Sequence, residues 1–132
     1  MESNYIGIPG LRRGATAVTQ YRAVIQDTGA FRILPVTNAN ASRPMGILQN
    51  DPGATDEPAD VAYVGVCKAE YGGTVAVGDA LACNNSGQLI TDVEVTDGTS
   101  VDLHHIAIAL EAGSSGEMHY VLLHPADRIG LE

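Results

Sequence analysis

The side chains best suited to chemistry in this 132-residue chain include four histidines. His104 and His105 are adjacent, so on a strand their side chains face opposite ways. His119 and His124 are five residues apart, which also places them on opposite faces of a strand. Ligands of a single ion have to converge on it, so neither pair predicts a metal site.

The candidate nucleophiles and attachment residues do not form a known catalytic pattern either. Cys67 and Cys83 lack a Cys-x-x-Cys spacing, and we predict buried, reduced thiols, although the sequence leaves a disulfide open. No serine lies in a Gly-x-Ser-x-Gly turn, and the glycine-rich turns lack the Lys-Ser/Thr pair of a phosphate loop. Lys68, the single lysine, ends an apolar run instead of lying at a hairpin tip, where lipoyl and biotinyl carrier domains present theirs. We therefore predict a protein that is not an enzyme and has no catalytic, cofactor-binding or metal-binding residues.

The charge and the composition argue against several classes of partner. Seven Lys and Arg face 16 Asp and Glu, which gives a net charge of −9 and opposes binding to nucleic acids and to anionic membranes. Aromatic residues make up only 5% of the chain, with no Trp, so little surface is available for stacking on sugars or bases. The first residues lack the features of a secretory signal, and no apolar run is long enough to span a membrane. We expect a protein that is made in the cytoplasm and binds neither nucleic acid nor membrane.

The elements that would position any site are predicted to be strands. Gly, Asn, Asp and Pro recur about every 8–12 residues between short runs rich in Val, Ile, Thr and Tyr, which is typical of antiparallel β-sandwiches and barrels. The segment 84–88 is predicted to be a hairpin loop in which Gly87 supplies a positive φ. The fold class is therefore all-β, as a single small antiparallel β-sandwich or barrel of about ten strands.

Residues 103–110 are ambiguous from the sequence. Leu103, Ile106 and Leu110 fit the stripe of a helix, whereas Ile106, Ile108 and Leu110 also fit the alternation of a strand. The β-branched residues favour the strand, but periodicity alone leaves both open.

The first 13 residues differ in composition from the rest of the chain. Residues 1–13 combine apolar side chains with two glycines and a proline, which predicts an extended N-terminal arm that needs a surface to lie on. Residues 14–132 are predicted to be the β domain, with a surface loop at 49–60 and a long acidic linker at 93–102.

Short segments along most of residues 16–124 resemble, in the same order, the head-decoration (capsid cement) proteins of tailed bacteriophages. The matching segments are Val18–Val24, Met45–Asn50, Val61–Val66, Gly73–Leu81, Asn84–Ile90, Ile106–Ala112 and Tyr120–Leu123. The resemblance implies that residues 106–110 form a strand. It also implies a structural virion protein that binds the outside of the assembled capsid and stabilises it.

The resemblance gives the N-terminal arm a role and names a partner. The major capsid protein of the same phage is the expected partner, and self-association as a trimer is expected. The predicted contact residues are Tyr5, Ile6, Ile8, Pro9, Leu11, Arg12 and Arg13. The two arginines are expected to pair with carboxylates of the shell. The alternative is a receptor-binding or carbohydrate-binding module displayed on the virion.

Overall fold

The computed structural model describes residues 2–39, 43–91 and 104–128, with the side chains of 104 and 125–128 left aside. These residues form ten strands. The strands are β1 (Asn4–Gly7), β2 (Arg12–Arg13), β3 (Ala23–Gln26), β4 (Arg32–Pro35), β5 (Gly46–Leu48), β6 (Val61–Glu70), β7 (Ala80–Cys83), β8 (Leu89–Thr91), β9 (His104–Ala109) and β10 (Met118–Arg128). Within the described ranges there is no helix that could cross a membrane. The acidic linker predicted at 93–102 lies outside the described residues.

All ten strands belong to one sheet. Its order is β2-β4-β3-β5-β6-β10-β9-β7-β8, and β1 is added to β6 beside this path. The pairs are antiparallel except for β2 with β4, which run parallel. The predicted all-β, mostly antiparallel fold is confirmed, and the strands form an open sheet, which is not a closed barrel.

The long strand β6 organises the sheet because it pairs with three others. Ala62 lies opposite both Gly7 of β1 and Ile47 of β5. Further along, Gly65 lies opposite both Tyr5 of β1 and Leu123 of β10. The N-terminal segment that was predicted as an arm is therefore hydrogen-bonded to the centre of the sheet.

Gly65 is the residue that lets β1 lie this close to β6. Its φ is 114°, a conformation that side chains other than glycine rarely adopt. A Cβ atom at this position would lie 2.4 Å from the carbonyl oxygen of Asn4 and 2.9 Å from the Cα of Tyr5. The pairing of β1 with β6 thus depends on a glycine here.

Neighbouring residues of the central strands point into two different hydrophobic clusters. Val61 belongs to the smaller cluster and Ala62 to the larger one, as expected when successive side chains face opposite sides of a sheet. The smaller cluster consists of Leu11, Val24, Ile33, Leu48, Ala59 and Val61. The larger cluster includes Cys67, Tyr71, Leu81, Leu89, Val121 and Leu123. Burying each large aliphatic side chain contributes about 1.5–3 kcal/mol, so two-sided coverage is the main stabilising term for this part of the sheet.

The predicted hairpin at 84–88 is present and joins β7 to β8. Gly87 has a φ of 81°, and its carbonyl oxygen accepts a hydrogen bond of 2.8 Å from the backbone N–H of Ala23. Beside it, Arg22 forms a 3.1 Å ion pair with the buried Glu70, which also accepts a hydrogen bond from Gln88. These contacts join the β7–β8 end of the sheet to the start of β3.

The ambiguous segment forms strand β9, which pairs with β10 and β7. Ala107 and Ala109 are fully or almost fully buried, while Ile108 is half-buried on the other face. The strand implied by the resemblance is confirmed for Ile106 to Ala109, and Leu110 lies just beyond its end.

Candidate interaction surface

The structure divides the seven predicted contact residues into exposed and buried positions. Ile6 is 66% exposed, and Pro9 and Arg12 are also exposed. Leu11 and Arg13, by contrast, are buried. Tyr5 packs against the larger core cluster and Ile8 against the smaller one, and both are half-buried.

Backbone hydrogen bonds hold residues 8–13 along the loop that precedes β6. The N–H of Ile8 donates to the carbonyl oxygen of Val61 (3.1 Å), and the N–H of Ala59 donates to that of Leu11 (3.0 Å). The N–H of Arg13 donates to the carbonyl oxygen of Glu57 at 3.0 Å. Leu11 and Arg13 therefore position this segment, and the side chain of Arg12 between them is exposed.

An open cleft of about 510 Å³ lies between these two segments. Its lining residues come from the end of β1 and the turn that follows, and from the loop before β6. They are Gly7, Ile8, Pro9, Gly10, Leu11, Arg12, Asn50, Pro58, Ala59 and Asp60. Residues 49–60 were predicted to be a surface loop, and part of this loop forms one wall of the cleft. No local sequence signal could have joined the two walls, because they are about 50 residues apart in the chain.

Arg12 is the cation that the cleft presents to solvent. Its Nη1 donates a 3.3 Å hydrogen bond to the carbonyl oxygen of Asp56, while the carboxylate of Asp56 pairs with Arg32 at 2.9 Å. The Nε of Arg13 instead donates to the carbonyl oxygen of Thr16 at 3.4 Å. Of the two arginines predicted to contact a partner, Arg12 is the one placed to do so.

Tyr5 and Asp60 connect β1 to the opposite wall of the cleft. The Tyr5 hydroxyl donates a short hydrogen bond to Oδ2 of Asp60. Burial, together with this hydrogen bond, raises the pKa of Tyr5 to about 12, so the phenol remains a neutral donor. The backbone N–H of Asp60 in turn donates to the side-chain oxygen of Asn50 at 2.9 Å. These contacts join β1 to Asp60 and Asn50, two residues that line the cleft.

The histidines that the sequence singled out lie in two separate places. The rings of His105 and His124 are in edge-to-face contact with centroids 4.6 Å apart, whereas His119 lies against Tyr71 at 5.1 Å. Among the residues that the structure describes, no group of three or more His, Cys, Asp or Glu side chains could hold a metal ion.

The two cysteines are free and buried. Burial raises the pKa of Cys67 to about 12 and that of Cys83 to about 11, because a thiolate would be poorly solvated there. Thiols in this state are poor nucleophiles and poor metal ligands.

Comparison with known proteins finds similarity in structure but not in sequence. No protein-family model matches the chain, and no curated protein matches it in sequence. The fold is similar to that of a solved structure described as head fiber gp8.5 N base in bacteriophage phi29. The TM-score is 0.62, the sequence identity is 16%, and the match covers 99% of each chain. At this identity the likeness shows a shared fold.

Proposed function

We propose that this chain is a structural protein of a bacteriophage virion, attached to the outside of the head. The observation that carries the proposal is the shared fold, over 99% of both chains, with a protein described as the N base of a phage head fiber. The sequence resemblance to head-decoration proteins, found independently of the fold, supports the same location.

Attachment is proposed to use the N-terminal surface, which we define as Ile6 together with the cleft lined by Ile8, Pro9 and Arg12. Ile6 exposes most of its side chain on β1, a strand that pairs with β6 alone among the described strands. An apolar side chain on a strand with one unpaired edge favours contact with another chain. Arg12 adds a cation that could pair with a carboxylate of the shell.

The partner in this proposal is the assembled shell of the major capsid protein. A protein that binds the assembled lattice and not its separated subunits stabilises the lattice by mass action. Many copies on one head would sum modest individual contacts. The resemblance to decoration proteins adds the expectation of trimers, which sedimentation velocity of the purified chain would test.

Co-sedimentation with purified heads of the phage that encodes the chain tests the proposal. We expect the wild-type protein to pellet with the heads, and the variants Ile6→Asp and Arg12→Glu to show at least a tenfold lower affinity. A charge placed in an apolar contact, or a reversed ionic contact, usually costs more than 1.4 kcal/mol, which is one factor of ten.

Val77→Asp is the matched control, because Val77 is also 66% exposed and lies outside the N-terminal surface. Val77→Asp should bind as the wild type does, and the melting temperatures of all three variants should lie within a few degrees of that of the wild type. Failure of the wild type to pellet would remove the proposed function. Binding to host cells without binding to heads would favour the receptor-binding alternative. Equal losses for Ile6→Asp and Val77→Asp would remove the N-terminal surface from the proposal.

A further inference from the structure

His119 lies between two carboxylates at the end of the sheet where β9 turns into β10. Its Nδ1 is 3.3 Å from Oε1 of Glu111, and its Nε2 is 3.1 Å from Oε1 of Glu117. The ring also lies against Tyr71, with centroids 5.1 Å apart. Both ring nitrogens therefore face an acceptor.

Only the protonated ring can satisfy both contacts. An imidazolium donates from both nitrogens, whereas a neutral imidazole has one N–H, and its other nitrogen would turn a lone pair towards a carboxylate. Tyr71, the other titratable group against the ring, donates its hydroxyl hydrogen to the carbonyl oxygen of Glu111 at 2.7 Å. Burial raises the pKa of Tyr71 to about 12, so it stays neutral where histidine titrates.

The two carboxylates also hold the backbone of the turn. Oε1 of Glu111 accepts the N–H of Tyr120 at 2.8 Å, and Oε1 of Glu117 accepts the N–H of Ser114 at 2.9 Å. Each carboxylate oxygen therefore links the histidine ring to a backbone amide. A change in the charge of the ring is felt at both amides.

The ring of His119 packs directly against Gly113. A Cβ atom on Gly113 would lie 2.4 Å from the ring carbon Cδ2, so this position has to be glycine. The backbone of Gly113 exchanges two hydrogen bonds with Val75, of 2.9 and 3.0 Å. The turn is thus fastened on one side to the segment after β6 and on the other to His119.

We propose that His119 is a pH-sensitive clasp, which holds the turn at 111–117 against β10 when its ring is protonated and loosens the turn when the ring is neutral. The clasp lies at the Glu70 end of β6, where Met118 pairs, whereas the cleft lies beyond its Val61 end. It goes beyond the proposed function and does not depend on it.

The pH window of the clasp follows from its parts. Hydrogen bonds from Ser114 and then His119 lower the pKa of Glu117, and hydrogen bonds from Tyr120 and then His119 lower that of Glu111. The stabilisation from these carboxylates is present above the pKa that they have in the unfolded chain, and it is lost as the pH falls through their lowered values. The contacts of the imidazolium are lost when the ring loses a proton, because a neutral ring has one N–H for two acceptors. The turn should be held most firmly at mildly acidic pH.

NMR of the purified chain tests the clasp at its own atoms. Between about pH 5 and 8, the range in which histidine titrates, we expect the amide signals of Ser114 and Tyr120 to move together with the ring signals of His119. In His119→Gln these two amides should lose that step, since the remaining carboxyl groups titrate at lower pH. Amides that keep the same pH profile in His119→Gln would overturn the proposal.

Thermal melting of a Glu117 variant provides a second test, which does not depend on correct folding of His119→Gln. Glu117→Gln keeps an oxygen for Ser114 but loses the charge. The weaker hydrogen bond to Ser114 should cost the same at both pH values, whereas the loss of the ion pair with His119 should lower the melting temperature by about 2–4 °C more at pH near 5.5 than at pH near 8.5. Glu57→Gln is the matched control, because Glu57 accepts the backbone N–H of Gly53 at the same 2.9 Å. No histidine contact of Glu57 is found among the described residues. Its effect should not depend on pH in this range. A cost of Glu117→Gln that is equal at the two pH values would contradict the clasp.

Discussion

Replacing Gly65 with alanine tests whether the N-terminal surface is built on the sheet as described. Gly65 has a φ of 114°, and an added Cβ would lie 2.4 Å from the carbonyl oxygen of Asn4. The backbone strain and the close contact both act where β1 pairs with β6. The substitution should therefore weaken β1 before it affects the rest of the sheet.

The expected magnitude follows from two terms. A residue other than glycine in this region of φ costs about 1–3 kcal/mol, and an overpacked contact costs about 1–3 kcal/mol more. Because β1 has only four residues, it can separate from β6 and relieve the contact. We therefore expect the free energy of unfolding to fall by about 3 kcal/mol, in the lower half of the combined range of about 2–6 kcal/mol.

Urea denaturation measures this loss, and amide hydrogen exchange locates it. The amides of β1 should exchange much faster in Gly65→Ala, while those of β9 and β10 keep most of their protection. Gly73→Ala is the matched control, because a Cβ there has no neighbour within 4 Å and the φ of Gly73 is ordinary. It should change the free energy of unfolding by less than about 0.5 kcal/mol.

A Gly65→Ala variant that unfolds within about 0.5 kcal/mol of the wild type and keeps β1 protected from exchange would contradict this expectation. Such a result would mean that β1 does not approach β6 as closely as the structure shows. A stable variant that loses protection in β1 would instead leave the geometry intact and show that β1 contributes little to global stability.

Three further predictions follow from buried polar groups. Arg22→Met should lower the free energy of unfolding by about 2–3 kcal/mol in urea denaturation, because it leaves the buried Glu70 without its cation; the cost is below that of a fully buried pair since Arg22 is 30% exposed. If Arg22→Met were as stable as the wild type, the hydrogen bond from Gln88 would be sufficient for the buried carboxylate of Glu70. Cys67 and Cys83 should resist thiol reagents at mildly alkaline pH in the native state and react in urea, since burial raises the pKa of both; rapid labelling of the folded chain would contradict this. Tyr5 and Tyr71, with pKa values of about 12 against 10 for a free phenol, stabilise the native state fully below pH 10, and this contribution is lost as the pH rises from 10 to 12. Ultraviolet titration should show two tyrosines that ionise near pH 12, and one fewer in Tyr5→Phe. Ionisation of all tyrosines near pH 10 would contradict the raised pKa values.

Local features of this chain were predictable from its sequence. The turn at 84–88 follows from Asn and Gly chemistry, and Gly87 adopts the positive φ that was predicted for it. Residues 106–109 were ambiguous because Ile and Ala on both faces fit a helix as well as a strand. Pairing with two neighbouring strands settles them as β9.

Long-range features were not predictable from the same signals. The composition of residues 1–13 predicted extended structure, and strands β1 and β2 are extended. The sequence gives no sign that Leu11 enters a core cluster with Val61, because that contact joins positions 50 residues apart. Leu11 was predicted as a contact residue for the same reason as Ile6, and Arg13 for the same reason as Arg12. Only the burial of the Leu11 and Arg13 side chains separates them from the other two.

The proposed attachment to a phage head is tested most directly by a cryo-EM reconstruction of the heads of the phage that encodes the chain. We expect density for this fold on the outer surface of the shell, with Ile6, Pro9 and Arg12 facing the capsid subunits. Heads that carry no such density, or density in which the cleft faces solvent, would contradict it.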